Sequence, residues 1–181
     1  MKPERYFSVD IESSGPIPGK YSMLSLGACV VGNPENTFYV ELKPISKDFI
    51  PDALTVSGFD LDRLEQLGEP PMEAMKKFRS WVETAAADHK AVFVGFNACY
   101  DWQFVNWYLE SFAVGNPFGF GGIDIKSYYM GLRGLPWSKT TSSQLPPEFQ
   151  PDVPQTHNAL DDARAQASIF QKLLLSGQNR F

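Results

Sequence analysis

The sequence predicts an α/β domain built on a mixed sheet, and two observations indicate this class. Strand-like segments near the N-terminus include a pair joined by a turn, which is typical of an antiparallel hairpin. Later strand-like segments alternate with helix-like ones, which is typical of strands connected by crossing helices. The chain has 181 residues, and we expect residues 1–181 to form a single domain.

The N-terminal half supplies the antiparallel part of this sheet. Its apolar, β-branched runs predict strands over residues 5–12, 22–32 and 36–43, with a turn over 32–36. A short helix is expected over residues 51–56. Pro71 then opens a longer helix to about residue 86, with apolar residues such as Met72 and Phe78 near helical spacing.

The C-terminal half supplies strands and helices in alternation. A wholly apolar strand over residues 91–95 is expected to be covered on both faces, and residues 122–125 suggest one more short strand. The predicted helices span residues 100–112, 126–133 and 158–175. The segment over residues 135–156 is rich in Pro, Ser and Thr, and loops of that length are usually functional or mobile.

Composition excludes several classes of protein. With 43% hydrophobic residues and a net charge of −5, the chain is typical of a globular protein and unlike one that coats nucleic acid by bulk charge. Cys29 and Cys99 lie in apolar stretches without a zinc-like cluster, so we expect buried free thiols and a cytoplasmic location. The N-terminus lacks a signal-peptide core, and no stretch reaches the ~20 apolar residues of a membrane span.

Two carboxylates stand where the first strand runs out, in the sequence YFSVDIESSG. Asp10 and Glu12 are two positions apart, so strand alternation points both side chains to the same face of the sheet. Such a pair can bind a hard cation through oxygen ligands. The alternative is a solvated face, which the apolar neighbours of the pair disfavour.

Two further segments could bring polar groups to the same place. Asp101 follows a buried strand in the first turn of the next helix, where it serves either the helix dipole or a site at the strand ends. His157 and Asp162 flank the start of the last helix, in HNALDDARAQA. Asp161 and Asp162 diverge by about 100° around the helix axis, so only one of them can easily join a shared site. A lone histidine is usually structural, which is our interpretation of His89.

Together the three segments resemble the signature of the DEDDh 3′→5′ exonucleases, relatives of RNase T, oligoribonuclease and the proofreading exonuclease subunit. The matching blocks are D-x-E at the end of the first strand, an aspartate after an apolar strand and GFN, and H-x4-D at the head of the last helix. The resemblance runs from Asp10 to about Leu174 and implies an RNase H-like fold, with a mixed five-stranded sheet flanked by helices. Ser13 and Ser14 replace threonines of many members and preserve their hydroxyls, while Asp161 is expected to be non-catalytic.

The resemblance implies a metal-dependent enzyme that hydrolyses phosphodiester bonds at single-stranded 3′ ends and releases nucleoside 5′-monophosphates. The expected ligands of two Mg²⁺ or Mn²⁺ ions are Asp10, Glu12, Asp101 and Asp162. By this resemblance Asp10 bridges both ions, Glu12 and Asp162 complete one, and Asp101 supports the other. His157 is the expected general base, because histidine titrates near neutrality.

The expected partner is a single-stranded RNA or DNA 3′ end. Met23 or Leu24, at the head of the second strand, would lie beside the last base, and Phe96 and Asn97 would touch the terminal nucleoside. Core packing is the competing interpretation for Leu24 and Phe96. Relatives are often homodimers, which implies a homodimer as one candidate assembly.

Two other functions stay open on the sequence alone. A related metal nuclease of the same fold could cut internally, and it would accept a 3′-blocked or circular substrate. A decayed nuclease could instead serve as a non-catalytic module that binds nucleic acid or protein. The intact set of five site residues argues against decay.

Overall fold

Five strands form one mixed sheet in the order β3-β2-β1-β4-β5. The structure, a computed structural model, describes residues 2–112 and 115–178. Its strands are β1 (Glu4–Ser13), β2 (Met23–Val30), β3 (Asn33–Glu41), β4 (Lys90–Gly95) and β5 (Gly122–Asp124). β2 pairs antiparallel with β1 and β3, whereas β4 runs parallel to β1 and β5. The predicted mixed five-stranded sheet is therefore confirmed.

Six α-helices accompany the sheet within the described part of the chain. They are α1 (Pro51–Ser57), α2 (Leu61–Leu67), α3 (Pro71–Ala86), α4 (Cys99–Ser111), α5 (Ile125–Arg133) and α6 (Ala159–Gln178). Only α2 was not predicted, although Asp60 is a strong N-cap whose Oδ1 accepts hydrogen bonds from the N–H groups of Asp62 and Arg63. Among these helices, none combines the length and the apolar character that a bilayer crossing requires.

Helices cover both faces of the sheet, and β1 divides its side chains between them. Phe7, Val9 and Ile11 of β1 are buried in one core cluster together with residues of α3 and α4. A second core cluster joins residues of β4 to α5 and α6. Because neighbouring residues of a strand face opposite sides, Asp10 and Glu12 point away from the first cluster and towards α6.

The hairpin turn between β2 and β3 is tighter than predicted. The sequence suggested a turn over residues 32–36, but β3 already begins at Asn33. Pro34 lies inside β3, which is an edge strand, so its missing N–H group costs little ladder bonding. Gly32 has a φ of +83°, a left-handed conformation that glycine adopts without strain.

Two other expectations need correction. Met72 in the first turn of α3 faces solvent rather than the core. Cys29 is buried as expected, but Cys99 opens α4 on its solvent side and is exposed. The proline-rich segment before α6 forms short 3-10 turns, and it buries Leu145 and Phe149 in the core cluster of α5 and α6.

Candidate active site

The end of β1 extends beyond its pairing with the parallel strand β4. The parallel ladder between β1 and β4 ends at the pair Ser8 and Val94. The antiparallel register with β2 continues and shifts between Glu12 and Ser13, where the chain leaves the sheet. Asp10 and Glu12 therefore lie at the carboxyl end of the parallel strands, which is where α/β folds place their sites.

The first turn of α4 brings Asp101 to this strand end. Asp101 is 5% exposed, and its Oδ1 accepts a hydrogen bond of 3.1 Å from the backbone N–H of Ile11. That N–H lies beyond the last pair with β4, so the Asp101 carboxylate takes the place of a strand partner. The neighbouring Tyr100 hydroxyl lies 2.7 Å from Ser13 Oγ. These two contacts fix α4 to the end of β1.

The first turn of α6 contributes Asp162, a buried carboxylate whose Oδ1 accepts a 2.8 Å hydrogen bond from Thr156 N–H. The helix can begin this close to the sheet because Gly27, the residue paired with Asp10 on β2, has no side chain. A Cβ at Gly27 would lie 2.2 Å from the backbone of Ala159. The absence of a side chain on Gly27 thus lets the first turn of α6, which carries Asp162, lie against the strand pair that carries Asp10.

His157 precedes α6 and is exposed, with a φ of +59° that non-glycine residues adopt uncommonly. A ring nitrogen of His157, an oxygen of Glu12 and an oxygen of Asp162 all lie within 4.8 Å of one another. The carboxylate of Asp161, by contrast, accepts from Thr156 Oγ1 and faces Arg164. The helix start therefore sends one aspartate of the adjacent pair into the site and the other to the surface.

Burial raises the pKa of each site carboxyl group, and repulsion within the site adds to the effect at Asp10, Glu12 and Asp101. Burial, followed by repulsion from Asp101, Asp162 and Glu12, raises the pKa of Asp10 well above its ordinary value. Burial, with a smaller effect of Asp162, raises the pKa of Glu12 to about 7. Burial likewise raises the pKa of Asp101 to about 8, and it also raises the pKa of Asp162. The pocket thus concentrates more negative charge than the protein alone neutralises.

The donor set of this pocket fits divalent cations. The pocket measures about 280 Å³, and the described residues that line it include four carboxylates and His157 but no Lys or Arg. Carboxylate oxygens are the ligands that Mg²⁺ and Mn²⁺ prefer. The residues that could hold such ions are Asp10, Glu12, Asp101 and Asp162. A cation there would supply the positive charge that the side chains lack.

The structure separates the predicted substrate-binding residues into two groups. Phe96 and the exposed Asn97, which has a φ of +67°, line the same pocket as the carboxylates. Met23 and Leu24 do not, because both side chains are completely buried. The expectation that one of them lies beside a terminal base is therefore not supported. The core-packing alternative describes Leu24, and Met23 belongs to the same core as α4.

Gln166 is a site residue that the sequence interpretation missed. It is 2% exposed and lines the pocket, and its side-chain amide contacts both Asp10 and the backbone of Phe96. The available signal was its spacing, since a residue four positions after Asp162 lies on the same face of a helix. Nothing else in the sequence indicated that this uncharged residue lies in the pocket.

Comparisons with known proteins relate both the sequence and the fold of this chain to exonucleases. The RNase T exonuclease family model matches residues 7–170. The 3′-5′ DNA exonuclease Cap18 of Escherichia coli is 47% identical over 169 residues, which cover 93% of this chain and 90% of that protein. The nuclease domain of 3′hExo, described as a DEDDh family member bound to rAMP, superposes with a TM-score of 0.76 at 16% identity, over 96% of this chain and 92% of that one. E. coli Exonuclease I in complex with a dT13 oligonucleotide gives 0.68 at 15% identity, over 98% of this chain and 42% of that one.

Proposed function

Because this chain belongs to the RNase T family of exonucleases and is a divalent-metal-dependent 3′→5′ exonuclease, we propose that the acidic pocket is its catalytic site. The observation that carries this proposal is the meeting of Asp10, Glu12, Asp101, Asp162 and His157 in one pocket. These residues come from three distant segments of the chain. Their convergence is unfavourable for the ionised carboxylates, since it raises the pKa of each carboxyl group.

The carboxylates of Asp10, Glu12, Asp101 and Asp162 would together hold two Mg²⁺ or Mn²⁺ ions. Divalent ions in such sites neutralise charge on the phosphate and on the leaving oxygen and help to generate the nucleophile. His157 accepts the proton of the attacking water on a ring nitrogen. The water oxygen bonds to phosphorus as the bond from phosphorus to the 3′-oxygen of the preceding nucleotide breaks. The departing 3′-oxygen takes a proton from solvent, so the products are a nucleoside 5′-monophosphate and a chain with a new 3′-hydroxyl.

The substrate we propose is the 3′ end of single-stranded DNA. Two observations support it: the 47% identical relative is named a DNA exonuclease, and the superposing Exonuclease I structure contains a DNA oligonucleotide. Phe96 and Asn97 would contact the terminal nucleoside, because they line the pocket beside Asp101. We further propose that residues 1–181 act as one catalytic domain, which the family match over residues 7–170 supports. A cytoplasmic location and homodimer formation stay predictions, the latter to be checked by light scattering.

The test compares 5′-labelled DNA and RNA oligonucleotides of equal sequence, incubated with Mg²⁺, with Mn²⁺ or with EDTA. We expect a ladder that shortens from the 3′ end, faster on DNA, and abolished by EDTA or by a 3′-terminal block. Asp162→Asn should remove the activity. The matched control Asp161→Asn should keep it, because the Asp161 carboxylate lies outside the pocket.

Other outcomes would overturn parts of this proposal. Equal cleavage of blocked or circular DNA would indicate the internal-cutting alternative. An oligonucleotide that is bound but left intact with both metals would indicate the non-catalytic alternative. Faster cleavage of RNA would reverse the proposed substrate preference and leave the catalytic site in place.

A further inference from the structure

Gln166 joins two parts of the pocket through one buried amide group. It lies on α6 one turn after Asp162 and is 2% exposed. Its Nε2 donates a 2.5 Å hydrogen bond to Asp10 Oδ1, and its Oε1 accepts a 2.8 Å hydrogen bond from the backbone N–H of Phe96. Three elements meet at this side chain, namely the end of β1, the segment after β4, and α6.

The chemistry of the partners fixes the orientation of the amide. A backbone N–H only donates, so the side-chain oxygen of Gln166 must face Phe96. The amide nitrogen is then left to face the Asp10 carboxylate, which accepts. Both the oxygen and the nitrogen of the Gln166 amide therefore form hydrogen bonds. A side chain that served only to pack the core would need neither bond. A buried residue with two such bonds holds its partners in defined positions.

The neutral charge of this donor distinguishes it from other possible partners of Asp10. The described lining of the pocket contains no Lys or Arg, either of which would neutralise Asp10 and compete with a cation. An amide occupies one lone-pair direction of Oδ1 and leaves the full negative charge of the carboxylate available. Hydrogen bonds of this kind orient metal ligands in proteins, and their removal typically weakens metal binding by about 10- to 100-fold.

We propose that Gln166 is a positioning residue that holds the Asp10 carboxylate in its metal-binding orientation and ties it to the substrate-side segment at Phe96. This inference rests on the proposed function, since it takes Asp10 as a metal ligand. It assigns Gln166 no contact with substrate or with the reacting atoms. Its effect passes through the orientation of Asp10 and the position of the Phe96 backbone.

The experiment measures Mn²⁺ binding to the protein without substrate, by the electron paramagnetic resonance signal of free Mn²⁺. Gln166→Met removes both hydrogen bonds at nearly constant volume, and we expect it to raise the Kd for Mn²⁺ by about 10- to 100-fold. Gln171→Met is the matched control on the same helix, because Gln171 is exposed, and its Kd should equal that of the wild type. At saturating Mn²⁺, the kcat of Gln166→Met should recover most of its loss, while the KM for DNA should stay above that of the wild type because the Phe96 segment is no longer held.

A purely structural role predicts a different result. In that case Gln166→Met would lower the melting temperature in EDTA but leave the Mn²⁺ Kd within twofold of the wild type, which would overturn the proposal. If Gln166→Met does not fold by circular dichroism, Gln166→Ala repeats the measurement, since the smaller side chain leaves space for water. A wild-type protein that binds no Mn²⁺ and cleaves no DNA would overturn the proposed function as well. A wild-type protein that does both, with an unchanged Gln166→Met variant, would overturn the role of Gln166 alone.

Discussion

The stability of the metal-free protein should fall as the pH rises, and the pocket carboxylates set the size of this effect. Each has a higher pKa in the folded protein than in the unfolded chain. The folded protein therefore keeps its protons to a higher pH than the unfolded chain does. The free energy of unfolding is greatest at a pH below the pKa values of the unfolded chain, and it falls as the pH rises towards the pKa values of the folded protein. For Glu12 this window extends from its ordinary value of 4.5 to about 7.

The magnitude can be worked out for Glu12. A pKa that rises from 4.5 to about 7 corresponds to at most ~3 kcal/mol of free energy of unfolding. Glu12 is only partly buried, so solvent screening reduces this to about 1–2 kcal/mol. Asp101 adds a contribution of the same sign over a window that ends near pH 8. We expect the metal-free wild type to lose stability steadily from pH 5 to pH 8.

The assay is urea unfolding in EDTA at several pH values, for the wild type and Glu12→Gln. The glutamine cannot ionise, so the stability of the variant relative to the wild type should grow by about 1–2 kcal/mol between pH 5 and pH 8. Glu110→Gln, at an exposed position of α4, is the control and should follow the wild type at every pH. Saturating Mg²⁺ should stabilise the wild type more at pH 8 than at pH 5. A variant-to-wild-type difference that does not change with pH would refute the argument.

Three further predictions follow from the site and its supports. His157→Ala should lose turnover by about 10²- to 10⁴-fold with its circular dichroism unchanged, and normal hydrolysis would contradict the general-base role. Gly27→Ala should destabilise the protein by about 1–3 kcal/mol in urea, because its Cβ would clash with the start of α6; an unchanged midpoint would disprove the close approach. The exposed Cys99 should react with a thiol reagent in the native protein, whereas Cys29, whose pKa burial raises to about 12, should react only after unfolding. If Cys29 and Cys99 reacted at the same rate in the native protein, the result would contradict the burial of Cys29.

The sequence could predict most of the fold because its signals were local. Alternation along β1 and helical spacing along α3 and α6 depend on neighbouring residues, so their positions were predicted to within a few residues. The turn before β3 was misplaced because β3 begins at Asn33 and contains Pro34, a residue type that is uncommon within strands. The tolerance of a proline depends on whether its strand lies at the edge of the sheet, and strand order is a property of the whole domain.

The same distinction applies to the site. Asp10, Glu12, Asp101, Asp162 and His157 could be found because each stands at a strand end or a helix start, and parallel strands end at one edge. Met23 and Leu24 are adjacent on β2 and face opposite sides of the sheet, yet both are buried, because helices cover both faces and this cover is a property of the whole domain. Gln166 was missed because its partners are Asp10 and Phe96, which are far away in the chain.

The site also completes the sheet from which it projects. β1 continues past the last pair with β4, and the backbone N–H groups at Ile11 and Phe96 are satisfied by the side chains of Asp101 and Gln166. These polar side chains can be buried because they replace backbone partners that the ladder no longer supplies. The same burial raises the pKa of Asp101 and Asp10 and destabilises the ionised, metal-free pocket. The carboxylates that bind the metal therefore lower the stability of the metal-free protein. A bound cation restores that stability, because it compensates the negative charge that burial makes unfavourable.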